Sequence, residues 1–360
     1  MTQSAKIKIA IVGASGYTGL ELARLLATHP QADVVAVTSE QNPGVAYDRF
    51  FPGLRGFVSP HLTLSAIGQK DQQGKWPGLD SLLKKAEVFF TALPHGTSTE
   101  CVNYLYEKGA RIIDLSADFR LKNLEVYEAW YGQHTAAHLV PEAVYGIPEF
   151  HRADMKKTRI IANPGCYPTS AIFALAPLLK HELIDTKTIV IDSKSGTSGA
   201  GRTAKQNILF SEISEGIRAY GVAHHRHTPE IEQELSSLAG HDIRVTFTPH
   251  LVPMHRGILT VAYGQLKDLK TDAQILELYR AFYKNECYVR VTDELPDSRN
   301  VRGSYFVDLS VRIDARTQRV IAISTIDNLN RGASGQAIAG FNLMMGFDEG
   351  LGLNHPPLLP

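Results

Sequence analysis

Lys6-Ile7-Lys8-Ile9-Ala10-Ile11-Val12-Gly13-Ala14-Ser15-Gly16-Tyr17-Thr18-Gly19 is the stretch that decides the fold. It alternates and then turns apolar, as a strand buried in a sheet does, and Leu20 to Ala27 continues as an amphipathic helix. Between them, glycines at the first, fourth and seventh positions permit a tight turn, close approach of the backbone to a pyrophosphate, and close packing of helix on strand. The spacing is GxxGxxG and not GxGxxG, so the order of strand, loop and helix carries the inference more than the glycines alone. Gly13, Ser15, Gly16, Tyr17, Thr18 and Gly19 are the expected dinucleotide-binding residues.

The next strand, Asp33-Val34-Val35-Ala36-Val37-Thr38-Ser39, bears on which nicotinamide cofactor is used. An NAD site usually ends this strand with a carboxylate that accepts from the ribose 2′-OH. Here Thr38 and Ser39 can donate to a 2′-phosphate, which favours NADP(H); Glu40, one residue beyond, works against it. Further strands are expected at Glu87–Ala92 and Arg111–Leu115. Each ends in a polar loop, Leu93-Pro94-His95-Gly96 and Ser116-Ala117-Asp118-Phe119-Arg120, at the sheet edge where such folds bind ligands.

Past residue 166 the pattern changes to longer strands with hairpin-like turns, at Thr188–Ser193, Ile243–Pro249, Gly257–Leu266, Ser304–Asp314 and Arg319–Asp327. The expected fold is α/β: a Rossmann-like dinucleotide-binding domain plus an α+β domain with a mixed, largely antiparallel sheet. The last helix, Ser334 to Met345, is expected to return to the first domain. That gives bounds of 1–165 with 330–360 for the first domain and 166–329 for the second. There is no internal repeat, low-complexity tract or flexible linker.

A chain of 360 residues has room for two such domains. Its 37 Lys and Arg balance 37 Asp and Glu, so no net field draws it to nucleic acid or to an anionic membrane. No apolar run is long enough to span a bilayer, and no signal peptide is recognisable. Three widely spaced cysteines without a CxxC pair argue for a reducing cytoplasmic setting and against disulfides or structural zinc.

Cys166 stands in Ile160-Ile161-Ala162-Asn163-Pro164-Gly165-Cys166-Tyr167-Pro168-Thr169, where a buried strand ends, a turn intervenes and a helix running to Lys180 begins. Unpaired amides and the positive end of a helix dipole favour thiolate over thiol, so this is the expected nucleophile. Cys101, in a helix-like stretch, and Cys287, beside a strand-like one, read as packing residues. Two later loops carry chemistry. Ser193-Lys194-Ser195-Gly196-Thr197-Ser198-Gly199-Ala200-Gly201-Arg202 can cradle phosphate through backbone amides, which makes Ser195, Gly196 and Gly199 candidates. His224-His225-Arg226-His227-Thr228-Pro229-Glu230 precedes a helical run from Pro229 to Leu238; with no second ligand cluster for a metal, an imidazole as general acid/base is the stronger reading.

Taken together, Val12–Gly19, Ala92–Gly96, Asp114–Arg120, Asn163–Thr169, Lys194–Arg202, His225–Glu230 and Ile326-Asp327-Asn328-Leu329 resemble the N-acetyl-gamma-glutamyl-phosphate reductases of arginine biosynthesis, relatives of aspartate-semialdehyde dehydrogenase. The likeness runs from Val12 to about Leu353, with small departures at Gly303-Ser304-Tyr305 and Ala339-Gly340. It implies NADPH-dependent reduction of N-acetyl-L-glutamyl 5-phosphate to the 5-semialdehyde through a Cys166 thioester. It assigns His227 to proton transfer with His225 and Glu230 placing ring or substrate, while spacing alone does not separate the two histidines. Leu93, Pro94 and Asn328 join the cofactor set and Asn163 the substrate set; Arg120 and Arg202 become candidates for anionic substrate groups, with a structural salt bridge as the alternative for either, and the amides of Gly165 and Cys166 candidates for an oxyanion. No metal is implied, and a homotetramer or homodimer is. Reduction of aminoadipyl or aspartyl phosphate, a dinucleotide-binding protein without catalysis, and a cysteine hydrolase are the competing readings. The intact cysteine and histidines speak against the second, and the glycine loop against the third.

Overall fold

The computed structural model describes residues 5–359; residues 1–4 and 360, which the expected domain bounds include, lie outside the described residues. The chain divides into two compact units, Met1–Pro164 with Ala333–Asn354, and Gly165–Gly332 with His355–Pro360.

In the first unit, strands β1 (Ile7–Val12), β2 (Ala32–Thr38), β3 (Leu64–Ser65), β4 (Val88–Thr91), β5 (Arg111–Asp114), β6 (Ala143–Tyr145) and β7 (Ile160–Ala162) form one sheet in the order β3-β2-β1-β4-β5-β7-β6. Every pairing is parallel. All residues of β4 and β7 are buried, which is why Val88 to Phe90 and Ile160 to Ala162 read as unbroken apolar runs. The chain leaves β1 outward through β2 and β3, then returns to β4 on the other side of β1. The carboxyl ends of β1 and β4 therefore flank the point where the strand order reverses, the place where open α/β sheets bind ligands. Helix Gly335–Met344 packs in this unit, its Phe341 ring 6.0 Å from that of Phe90.

The second unit has strands β8 (Ile184–Ser195), β9 (Arg218–Ala219), β10 (Thr246–Leu251), β11 (Ile258–Leu266), β12 (Val289–Val291), β13 (Val307–Asp314) and β14 (Arg319–Ile326), in the order β12-β13-β14-β11-β8-β10-β9. Pairs β8–β10 and β12–β13 are parallel and the other four antiparallel, which bears out the mixed sheet. Helix Cys166–Lys180 is buried from Tyr167 to Leu179 and packs on β11 and β14, so its apolar character all round is that of a core helix. Along β11 burial alternates residue by residue, as expected where one sheet face is covered and the other is open.

Candidate active site

In the first unit the glycine loop follows β1 directly. Gly13 has φ +90°, and a Cβ there would lie 2.5 Å from the carbonyl oxygen of Ala92 at the end of β4, so only glycine lets the two strand ends meet. A Cβ on Gly19 would lie within 2.6 Å of Ala14, which explains the third glycine. Gly16 caps helix Tyr17–Leu26 and faces open space; as a glycine it offers no side-chain cap, and no acidic residue stands in the first turn. An open glycine cap on an acid-free helix start fits a pyrophosphate.

The strand-end hydroxyls divide the work. Thr38 is buried, and its Oγ1 accepts from the Gly13 amide at 2.9 Å, so it braces the loop. Ser39 Oγ lies 3.2 Å from Ser15 Oγ and 3.3 Å from Asn42 Nδ2, a polar group of the kind that holds a phosphate. Glu40, the residue that argued against NADP(H), turns its carboxylate to the amides of Ile67 (2.7 Å) and Gly68 (3.3 Å). Beyond β4, the Leu93–Gly96 loop is fixed by Asp118, whose Oδ2 accepts from the amides of Gly96 and Thr99 and whose Oδ1 accepts from Tyr127. Fully buried Asp114 beside it gathers the hydroxyls of Thr91, Ser98 and Ser116. Burial raises its pKa first and the Asp118 charge next, against the hydroxyls. Neither aspartate was read as functional from the sequence, because each acts on the loop through contacts that cross strands.

Arg120 and Asn163 come together in this unit. The guanidinium is buried, its Nε donating to the Asn163 carbonyl at 2.7 Å and its Nη2 to the Leu115 carbonyl at 2.9 Å. Two of its nitrogens therefore join the loops after β5 and β7. Asn163 Nδ2 in turn donates to the Ala333 carbonyl at 3.1 Å. Arg202 is exposed on its loop in the second unit.

The second unit opens on Gly165, cap of the Cys166 helix. Its amide donates to Glu230 Oε1 at 2.7 Å, and Glu230 is itself buried. This corrects the oxyanion expectation: the Gly165 amide serves the turn. A Cβ on Gly165 would lie 2.6 Å from His227 Nε2, and one on Gly332 would lie 2.7 Å from the Cys166 Cβ. The His227 ring thus packs on the residue before the thiol, and Gly332 leaves room for the thiol's own side chain. Cys166 is partly exposed, Cys101 is buried with its pKa pushed up by burial, and Cys287 is exposed.

His225 and His227, left undivided by spacing, differ in surroundings. His225 Nδ1 accepts from the His227 amide at 3.1 Å. Its ring meets those of Tyr167, Tyr220 and Phe247 edge-on at centroid distances of 5.6, 5.3 and 5.5 Å. Burial pushes its pKa down to about 4, helped by Arg226 and His224, so it is neutral near pH 7.

The loop after β8 is not an open phosphate cradle. The Gly196, Thr197 and Ser198 amides donate to the carbonyls of Gly257, Met254 and His255, and those of Gly199 and Gly201 to carbonyls within the loop. Ser195 Oγ donates to the Gly196 carbonyl, and a Cβ on Gly199 would come 2.9 Å from that Oγ. Asn328 fastens the same loop, accepting from the Gly257 amide at 2.7 Å and donating to Ser198 Oγ at 2.9 Å. Glycine and hydroxyl content predicted amides free for phosphate; the approach of the segment before β11 takes them instead.

The family model described as "Semialdehyde dehydrogenase, NAD binding domain" matches residues 8–158, and "Semialdehyde dehydrogenase, dimerisation domain" matches residues 166–328. Curated proteins named N-acetyl-gamma-glutamyl-phosphate reductase are similar over nearly the whole chain. That of Citrifermentans bemidjiense is 51% identical over 358 residues, covering 98% of this chain and 100% of the relative. The chain belongs to the N-acetyl-gamma-glutamyl-phosphate reductase family. The Geobacter sulfurreducens reductase is 50% identical with the same coverage. Among solved structures, an aspartate semialdehyde dehydrogenase II of Vibrio cholerae complexed with ASA has a TM-score of 0.67 at 17% identity, covering 95% of this chain and 99% of its own. One from Candida albicans with NADP has a TM-score of 0.68 at 15% identity, with the same coverages. At these identities the structures show that this chain shares the fold of aspartate semialdehyde dehydrogenases.

Proposed function

We propose that this chain reduces N-acetyl-L-glutamyl 5-phosphate to N-acetyl-L-glutamate 5-semialdehyde with NADPH, releasing phosphate through a thioester on Cys166. The observation that carries the reading is the packing of His227 on Gly165, which places an imidazole against the residue preceding a thiol at a helix N-terminus. Thiolate on Cys166 attacks the acyl carbon, the C–O bond to phosphate breaks, and the departing phosphate takes its proton from solvent. Residues Gly13 to Gly19 would hold NADPH, which would supply the hydride that reduces the thioester carbonyl. Protonated His227 gives its proton to the oxygen that becomes negative there. It takes the proton back as the C–S bond breaks, which yields the aldehyde and restores the thiolate–imidazolium pair. Glu230 holds the Gly165 turn, and Arg120 with Asn163 forms the group proposed for an anionic part of the substrate. Run in the oxidative direction, the reaction should show NADP+ reduction by the semialdehyde that requires phosphate.

Ser15, Ser39 and Asn42 are the groups proposed to receive the 2′-phosphate, with the Glu40 carboxylate turned to Ile67 and Gly68. Ser39→Asp should weaken NADPH relative to NADH by about tenfold or more, since a carboxylate repels the phosphate and accepts from a 2′-OH. Paired KM measurements check this, and an unchanged ratio contradicts it.

The open face of the second sheet is the proposed homodimer surface, alone or within a homotetramer. Val190 pairs with Tyr263, Val261 with Ile323, and Tyr263 with Ile321, all half-buried on one face. Apolar side chains on an open sheet face favour a partner, and the matching family model is described as a dimerisation domain. Val261→Glu should shift sedimentation toward monomer; unchanged sedimentation would contradict the assignment. Among the described residues no helix is long and apolar enough to cross a membrane. Cys101, Cys166 and Cys287 form no disulfide, which supports a cytoplasmic setting.

A further inference from the structure

We propose that Tyr220 is a positioning residue for His227: its ring closes the aromatic box around His225, and through His225 it sets the backbone that presents the His227 imidazole to Gly165 and Cys166. Tyr220 follows β9, the edge strand of two residues that pairs with His250 and Leu251 of β10. It is 37% exposed, so little of the core depends on it. Its ring nevertheless meets His225 at 5.3 Å, on a box otherwise made by Tyr167 and Phe247. Gly221, with φ +58°, turns the chain directly after it, and a Cβ there would lie 3.2 Å from the His225 ring. The Tyr220 hydroxyl donates to Tyr167 Oη at 3.1 Å, and Tyr167 donates to the His250 carbonyl at 3.0 Å. The box is therefore tied to the residue that follows Cys166 and to the strand that holds β9.

Within this box the His225 ring also takes part in a hydrogen bond. Its Nδ1 accepts from the His227 amide at 3.1 Å, so a rotated His225 ring would release the backbone of His227. The His227 ring has little latitude, since it already fills the place of a Gly165 Cβ and meets the His225 ring at 4.9 Å. Misplacement of a proton-transfer group by about 1 Å costs up to roughly 10²-fold in rate. The ring of Tyr220 closes the box, whereas its hydroxyl adds to a Tyr167 that keeps its bond to His250. Phenylalanine should therefore serve where alanine does not.

The proposal rests on the acid/base reading of His227, and the test separates the two. Steady-state kinetics across pH are measured for wild type, Tyr220→Ala, Tyr220→Phe and His227→Asn, each shown folded by thermal unfolding. Tyr220→Ala should lower kcat by roughly 10- to 10²-fold, leave the KM for NADPH within about twofold, and displace the pH limb that His227→Asn removes; Tyr220→Phe should restore kcat to within about threefold. If His227→Asn keeps both limbs, the acid/base reading fails. If it loses one while Tyr220→Ala leaves that limb and kcat unmoved, or if Tyr220→Phe is as impaired as Tyr220→Ala, the positioning role of the Tyr220 ring is overturned and the acid/base reading stands.

Discussion

Cys166→Ser should abolish turnover, with a loss of roughly four orders of magnitude or more, the scale seen when a covalent nucleophile is removed. The two side chains are nearly the same size, so the packing of Gly332 against position 166 is unchanged. What changes is acidity: a thiol at a helix start ionises near neutral pH, whereas a serine hydroxyl does not. The nucleotide loop after β1 is a separate element, so NADPH binding, followed by fluorescence titration, should be retained. Iodoacetamide offers a second view of the same group. Cys287 is exposed and Cys101 buried, so accessibility alone would favour Cys287; thiolate character should make Cys166 alkylate first at pH 7. Appreciable turnover by the serine variant would rule out the thioester.

His227→Asn should reduce kcat by roughly 10²–10⁴-fold, the range for loss of a general acid/base, and should remove one limb of the pH profile. Asparagine preserves polarity and approximate size, so the ring's place over Gly165 stays filled while the titrating group is gone. His225→Asn should keep both limbs. His225 is held near pKa 4 by burial, so it stays uncharged as pH falls from 7 through the range in which an ordinary histidine takes up a proton. A limb near neutrality therefore does not come from His225. If His225→Asn removes that limb and His227→Asn does not, the acid/base role moves to His225.

The elements that determine the fold were legible where the pattern is local. β1, the glycine loop and helix Tyr17–Leu26 follow from one contiguous run, and β11, β13 and β14 from sustained strand-like stretches near their observed bounds. β3, β6, β9 and β12 are two or three residues long, too short to show a period, and are strands because a neighbouring strand pairs with them. The site divides in the same way. Cys166 stands out because its turn and helix are adjacent in sequence. Glu230 reaches the Gly165 amide across 65 residues, and Tyr220 reaches Tyr167 across 53, so no spacing rule announces either contact. The loop after β8 misled for the converse reason: its composition suits phosphate, but the segment before β11, nearly sixty residues on, already occupies its amides.

The central claim, that an acyl phosphate exchanges with a Cys166 thioester, is tested most directly by oxidising N-acetylglutamate 5-semialdehyde with NADP+ and varying phosphate. Run this way, the enzyme must release the acyl group from sulfur to phosphate, so the absorbance of NADPH should rise only when phosphate or arsenate is present, with little turnover when water is the sole acceptor. Sustained NADP+ reduction without either anion would contradict the account and identify a hydrolytic aldehyde dehydrogenase instead.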